Sequence, residues 1–306
     1  VPDQREPRIR GSGHPLPFSK GRMATNLFLS GVEAEHAYEL ALDIERAVHE
    51  VGSEEIALAE LHSIVEDVLR RADGPAAVER YRAWQKVLRR ERPLVLMLGG
   101  ATGTGKSSLA TELAYRLGIS RITSTDVVRQ VMRAFFAPGL MPALHYSSFE
   151  AGAGLKMPMP DPEQDDRALY GFIQQAEQVA VGAAAVVERA VLEGLSTVVE
   201  GVHLVPGLVE VPEHRAATVV QVLLTIQDEE AHQAHFVARD FRSGGVRPLD
   251  RYLRSFGEIR RIQDYLVGRA ERMGVPIVDG DDGEEALRSV LDLILERATA
   301  APGAVP

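Results

Sequence analysis

The stretch LVLMLGGATGTGKSSLA, residues 94–110, constrains the chain more than any other. An apolar run breaks into a glycine-rich loop, and Gly100-Ala101-Thr102-Gly103-Thr104-Gly105-Lys106-Ser107 fits G-x-x-x-x-G-K-[ST] in full. Each part has a physical role. The glycines let successive backbone N–H groups point inward at phosphate oxygens, and the following helix adds its positive N-terminus. Lys106 is placed to reach the β- and γ-phosphates, the Ser107 hydroxyl to bind Mg²⁺, and Ser108 completes the nucleotide-binding set. The bland alternative is a strand-to-helix turn without a ligand. An apolar strand before the loop, and Leu109, Leu113 and Leu117 at helical spacing after it, speak against that. ATP with Mg²⁺ is therefore expected.

The class of phosphate-loop protein follows by elimination. A GTPase needs N-K-x-D, and none of the four lysines (Lys20, Lys86, Lys106, Lys156) follows an asparagine. A motor-type ATPase wants an apolar strand ending in Asp-Glu; in LLTIQDEE that pair is offset by Gln227, and Asp228 reads better as a helix N-cap. A small-molecule kinase remains. Its four lysines stand against 30 arginines, yet lysine occupies the loop position that needs a slim, flexible point charge.

With a net charge of −10, no global basic field draws the chain to nucleic acid or an anionic membrane. The absence of cysteine excludes disulfides and thiolate metal sites. No apolar run approaches the ~18 residues of a membrane span, and no secretory segment opens the sequence, so a cytoplasmic protein is expected. The first residue is Val1 rather than Met, as in a chain with an upstream piece.

Residues 1–17, rich in proline and glycine, read as an extended arm or hairpin. Three helices are expected next. The first runs from Val32 to about Val51, with Ala37, Leu40, Ile44, Ala47 and Val51 at helical spacing. Ser53 begins the second, with Glu54 and Glu55 in its first turn and Leu58, Leu61, Val65, Val68 and Leu69 buried. Gly74-Pro75 starts the third, where Val78, Tyr81, Trp84 and Leu88 line one face. RRERP, 89–93, is the seam between domains spanning 1–90 and 91–300. Strand–helix alternation then predicts a parallel sheet with strands at Leu94–Leu98, Arg121–Ser124, Thr197–Glu200, Thr218–Ile226 and Pro276–Val278. A long helix from about Pro162 to Leu192 precedes the third, with Gly194 placed to cap it.

On the acceptor side, Asp126 falls where the second strand ends, with Arg129 and Arg133 following on one helical face. A carboxylate beside two guanidiniums suits a small anionic substrate: one group orients a hydroxyl and two clamp anionic oxygens. An N-capping aspartate with two surface arginines is the alternative. Glu200 could hold a Mg²⁺-bound water. His203 could touch substrate or be a satisfied structural histidine. HYSSFEAGAGLKMP, 145–158, offers His145 and Lys156 as a substrate loop or as plain surface. RDFRSGGVRPLDRYLR, 239–254, is either an exposed basic turn or a mobile arginine lid, with Arg239, Arg242, Arg247 and Arg251 as candidates. His232 and His235, at i,i+3 without a carboxylate partner, are weak as metal ligands.

LGGATGTGKSSLATELAYRLGISRITSTDVVRQVMR, LHYSSFEA, VVEGVHLVPG and RYLRSFGEIRRIQDYLVGRA together resemble the 2-phosphoglycerate kinase family, over residues 94 to 279. The resemblance implies an α/β P-loop kinase domain, a doubly wound five-stranded parallel sheet, that phosphorylates the free hydroxyl of 2-phosphoglycerate to 2,3-bisphosphoglycerate. Residues 6–90, through RIRGSGHPLPFSKGRMATNL, are similar to the small, mainly helical ATP-cone, which implies entry strands, a first helix and a second nucleotide. Only Arg8 and Arg10 stand for the usual Lys-Arg pair, so a docking module that builds a homo-oligomer is the alternative. For the whole chain, 3-phosphoglycerate or another phosphorylated hydroxy acid is the other acceptor, and a nucleotide-sensing regulatory protein the rival from a different class.

Overall fold

The structure, a computed structural model, describes residues 7–11, 13–89, 92–155, 166–209, 216–243 and 249–300, with the side chains of Arg239, Arg242 and Ser243 outside the description. The chain divides into two compact units, Val1–Arg90 and Glu91–Pro306.

The first unit opens with a hairpin of β1 (Arg8–Arg10) and β2 (Leu16–Pro17), then α1 (Lys20–Leu29), α2 (Ala34–Glu50), β3 (Glu55–Ala57), α3 (Leu58–Ala72) and α4 (Pro75–Leu88). The small sheet runs β2-β1-β3, antiparallel on one side of β1 and parallel on the other. Buried residues recur every three or four positions on the helices: Ala37, Leu40, Ile44 and Val48, then Leu61, Val65 and Val68, then Val78, Tyr81 and Trp84. The first helix that the cone resemblance implies precedes the three read from helical spacing, capped by the Ser19 side chain, which accepts from the Arg22 N–H. One expectation is corrected. Ser53 does not start the next helix. Its hydroxyl donates to the Glu55 carbonyl at 2.7 Å in a tight local turn, and Ile56 is fully buried opposite Ile9 in the parallel pair. Helix α3 starts only at Leu58, and Val51 and Leu58 are exposed rather than buried.

The second unit contains β4 (Leu94–Gly100), α5 (Lys106–Arg116), β5 (Ile122–Ser124), α6 (Thr125–Phe135), two 3₁₀ turns (Pro142–His145 and Ser148–Gly154), α7 (Arg167–Leu192), β6 (Thr197–Glu200), β7 (Thr218–Thr225), α8 (Glu229–Ser243), α9 (Leu249–Arg254), α10 (Phe256–Met273), β8 (Ile277–Asp279) and α11 (Gly283–Thr299). All five expected strands form, with ends differing by a residue or two, in one parallel sheet ordered β5-β6-β4-β7-β8. β4 is buried along its whole length. Val95, Met97 and Val199 pack against Ala180, Ala183 and Val187 of α7, while α5 and α11 cover the other face. Helix α7 starts at Arg167; residues 162–165 of the longer expected helix lie outside the described residues. Gly194 follows α7 at φ +66°, its N–H reaching Val191, as a C-terminal glycine should. Among the described residues no helix is long and apolar enough to cross a membrane.

The chain leaves β4 for the far-edge strand β5, returns to β6 beside β4, and then builds β7 and β8 on the other side. Strand order therefore reverses around β4, and the crevice beyond the carboxyl ends of β4, β5 and β6 is where a doubly wound sheet receives ligands.

Candidate active site

The phosphate loop occupies that crevice, between β4 and α5. Lys106 is buried at the first turn of α5; its Nζ donates to the Ala101 carbonyl and, at 3.3 Å, to the Thr104 hydroxyl. Burial pushes the Lys106 ammonium below the ordinary lysine value, and the charges of Glu200 and Asp126 pull it back. Ser107 donates its hydroxyl to Glu200 Oε1 at 3.1 Å. Ser108 is exposed beside it. Gly100, Thr102, Gly103 and Gly105 form the rest of the loop, and the loop carbonyls of Thr102 and Gly103 accept from His232 and His235 of α8.

Ser124, not Asp126, caps α6, by accepting from the Asp126 N–H at 3.2 Å. This leaves the exposed Asp126 carboxylate at the helix's first turn without a capping task. Arg129 is no surface arginine: it is buried, with Nε 3.4 Å from Asp126 Oδ1 and Nη1 donating to the Leu144 carbonyl at 2.8 Å. Arg133 is exposed a turn further along.

Glu200 ends β6, buried, and Gly201 follows at φ +148°. A Cβ on Gly201 would stand 1.8 Å from Thr125 Oγ1, so only glycine lets β6 and α6 approach closely enough to bring Glu200 and Asp126 to one crevice. His203, fully buried two residues on, joins the same elements. The Gln175 amide nitrogen donates to the carbonyls of Ala143 and Tyr146, so its oxygen must accept from His203 Nε2–H at 3.0 Å. Nδ1 then accepts from the Thr125 hydroxyl at 2.9 Å. Burial lowers the His203 pKa to about 4, so the ring is neutral at physiological pH. Both nitrogens are engaged within the protein, as in a satisfied structural histidine.

His145 Nε2 donates to the Phe136 carbonyl at 2.9 Å. Arg251 of α9 holds the same loop: Nε lies 3.0 Å from Glu150 Oε1, Nη2 donates to Ser147 Oγ at 2.7 Å, and the guanidinium sits over Phe149. That pairing lowers the Glu150 pKa and raises that of Arg251. Lys156 and Arg247 lie outside the described residues, and Arg239 and Arg242 are placed by backbone alone, near the end of α8. The crevice thus brings together Lys106, Ser107, Glu200, Asp126 and Arg129. Thr125 and Glu150 stand inside the stretches ITSTDVVRQVMR and LHYSSFEA without a role being read for them, and Gln175 lies outside every quoted stretch.

An ATP cone domain model matches residues 8–89. Over nearly the whole chain, a 2-phosphoglycerate kinase from Methanopyrus kandleri is 38% identical, across 95% of this chain and 87% of its own. One from Methanothermobacter thermautotrophicus is 38% identical over 92% of both chains. Among solved structures, shikimate kinase from Acinetobacter baumannii is 14% identical with a TM-score of 0.36, over 67% of this chain and 92% of that one, a likeness too distant to bear on the reaction. Carrying a cone at its N-terminus and a phosphate loop at the switch point of a parallel sheet, and matching these relatives along nearly all of both lengths, the chain is an ATP-dependent phosphotransferase that belongs to the 2-phosphoglycerate kinase family.

Proposed function

We propose that the protein transfers the γ-phosphoryl group of ATP to the free hydroxyl of 2-phosphoglycerate, giving 2,3-bisphosphoglycerate and ADP. The observation that carries this reading is the convergence of Lys106, Glu200 and Asp126 on one crevice, with Arg129 against Asp126; the relatives' names supply the acceptor. In the transfer the acceptor oxygen bonds to the γ-phosphorus, the bond to the β–γ bridging oxygen breaks, and the hydroxyl proton passes to the Asp126 carboxylate. Lys106 stabilises the charge that develops on the phosphoryl oxygens. Ser107 and Glu200 present hard oxygens side by side, a donor set that fits Mg²⁺. Held there, the ion would neutralise phosphate charge.

Arg129 orients Asp126, and Arg133 takes the substrate's anionic groups. His145 and Arg251 shape the acceptor loop, His203 braces it, and Arg239, Arg242, Arg247 and Lys156 keep the substrate and lid roles assigned from the sequence. A second nucleotide is assigned to the cone domain, and the protein to the cytoplasm. Phosphorus NMR with ATP and Mg²⁺, offering 2- and 3-phosphoglycerate in separate tubes, tests the reaction. A bisphosphoglycerate signal from the 2-isomer supports it. Turnover of the 3-isomer alone would move the acceptor, and silence in both tubes would remove it.

A further inference from the structure

Two histidines that the proposed chemistry does not use sit against the phosphate loop. His232 and His235 lie one turn apart on α8. His232, fully buried, has Nε2 at 2.8 Å from the Thr102 carbonyl; His235 has Nδ1 at 3.1 Å from the Gly103 carbonyl. A carbonyl can only accept, so both ring nitrogens donate. His232 Nδ1 then faces Arg260 Nη1 at 3.4 Å, and Arg260 is itself fixed to the carbonyls of Ile226 and Gln227. The His232 ring stacks on Phe236 at 5.3 Å between centroids, and Phe236 stacks on Tyr252 of α9 at 5.1 Å. Phe236 and His232 also fill the space a Cβ on Gly103 would need, at 2.6 and 2.9 Å.

A trans peptide is planar, with the carbonyl of one residue and the N–H of the next pointing in opposite directions. Drawing the Thr102 and Gly103 carbonyls toward α8 therefore turns the N–H groups of Gly103 and Thr104 away from it. Those are donors of the phosphate cradle. We propose that His232 and His235 are positioning residues for ATP: acting on two consecutive peptide planes, they aim the Gly103 and Thr104 N–H groups at the nucleotide phosphates and fasten the loop to α8. This rests on the reading that the loop holds ATP.

The test measures ATP–Mg²⁺ affinity by titration calorimetry, taking as the loop's own the binding step that Lys106→Ala removes and treating a cone-domain nucleotide as a separate step, with KM values for ATP and for the acceptor and thermal melting alongside. His232→Phe keeps the stacking ring and His235→Leu the bulk, and each loses its donor. Each is expected to weaken ATP roughly fivefold, with the acceptor KM within about twofold. His232→Gln and His235→Asn, whose amides can present a donor near the lost one, are expected to restore most of the loss. ATP affinity unchanged in the donor-less variants, or equal losses in the amide variants, would overturn the proposal. If His232→Phe does not fold, the half-buried His235 pair decides. Lys106→Ala is the control for the underlying reading: unchanged affinity there removes the loop as the ATP site and this inference with it. A wild type that binds ATP but phosphorylates neither isomer removes only the acceptor, and the affinity series still decides.

Discussion

Ser107 and Glu200, 93 residues apart in the chain, meet hydroxyl to carboxylate at 3.1 Å where α5 begins and β6 ends. Glu200 is buried beside the loop, and its charge favours the Lys106 ammonium. That arrangement is costly for a merely structural group and suits one that shares a cation. Glu200→Gln keeps the shape and an acceptor oxygen for Ser107 but removes the charge. Turnover is expected to fall roughly 10- to 100-fold, and the Mg²⁺ concentration for half-maximal rate to rise. A Mg²⁺ titration checks this; an unchanged midpoint would separate Glu200 from the ion.

Asp126 has a different task, because Ser124 already caps α6 and the Asp126 carboxylate is left facing the crevice. Asn at this position preserves an oxygen for Arg129 and cannot take a proton. Asp126→Asn is expected to lower phosphoryl transfer by at least ~100-fold while ATP binds as before. Single-turnover rates alongside ATP calorimetry make the comparison, and near-normal turnover would remove Asp126 as the base.

What the sequence made legible was what is local. The apolar runs that became β4, β6 and β7, the loop glycines, and the helical stripes through Ala37 and Val65 all announce themselves within a few residues. What stayed hidden depends on partners far along the chain. Ser53-Glu54-Glu55 looks like a helix start, but Ile56 is claimed by Ile9 across a parallel pair. His232 and His235, read as weak metal ligands for want of a carboxylate partner, hold backbone carbonyls 130 and 132 residues away, which have no side-chain signature. Arg251 pairs with Glu150, 101 residues back. The first of these contacts belongs to the small sheet of the first unit and the others to the second unit, and each joins segments that no single window of sequence spans.

Gly201 gives a stability test of the way the crevice is assembled. Its φ of +148° is unfavourable for a side chain, and the added methyl of Gly201→Ala would stand 1.8 Å from Thr125 Oγ1. Strain and steric displacement together are expected to destabilise the domain by ~3 kcal/mol or more. Thermal melting reads this directly, and a midpoint within a degree or two of wild type would show that β6 and α6 have more freedom than their packing suggests. Surviving folded protein should also turn over more slowly, since the same turn carries Glu200 and His203.

Acid should loosen the second unit through its buried histidines. Burial lowers the pKa of both His203 and His232 to about 4, against 6.5 for a free histidine, with nearby cations adding to the effect. Between those values the unfolded chain binds protons that the folded one refuses, so stability falls as pH drops from 6.5 toward 4. At pH 5 each ring contributes a loss of ~2 kcal/mol relative to neutral pH, as an upper figure. Denaturant unfolding at pH 7 and pH 5 measures the drop. His232→Gln, which can still donate toward Thr102 but cannot be protonated, should lose about 2 kcal/mol less than wild type over that interval. An equal loss in the two proteins would mean that His232 accepts a proton in the folded state as readily as in the unfolded one, and that its hold on the phosphate loop does not depend on remaining neutral.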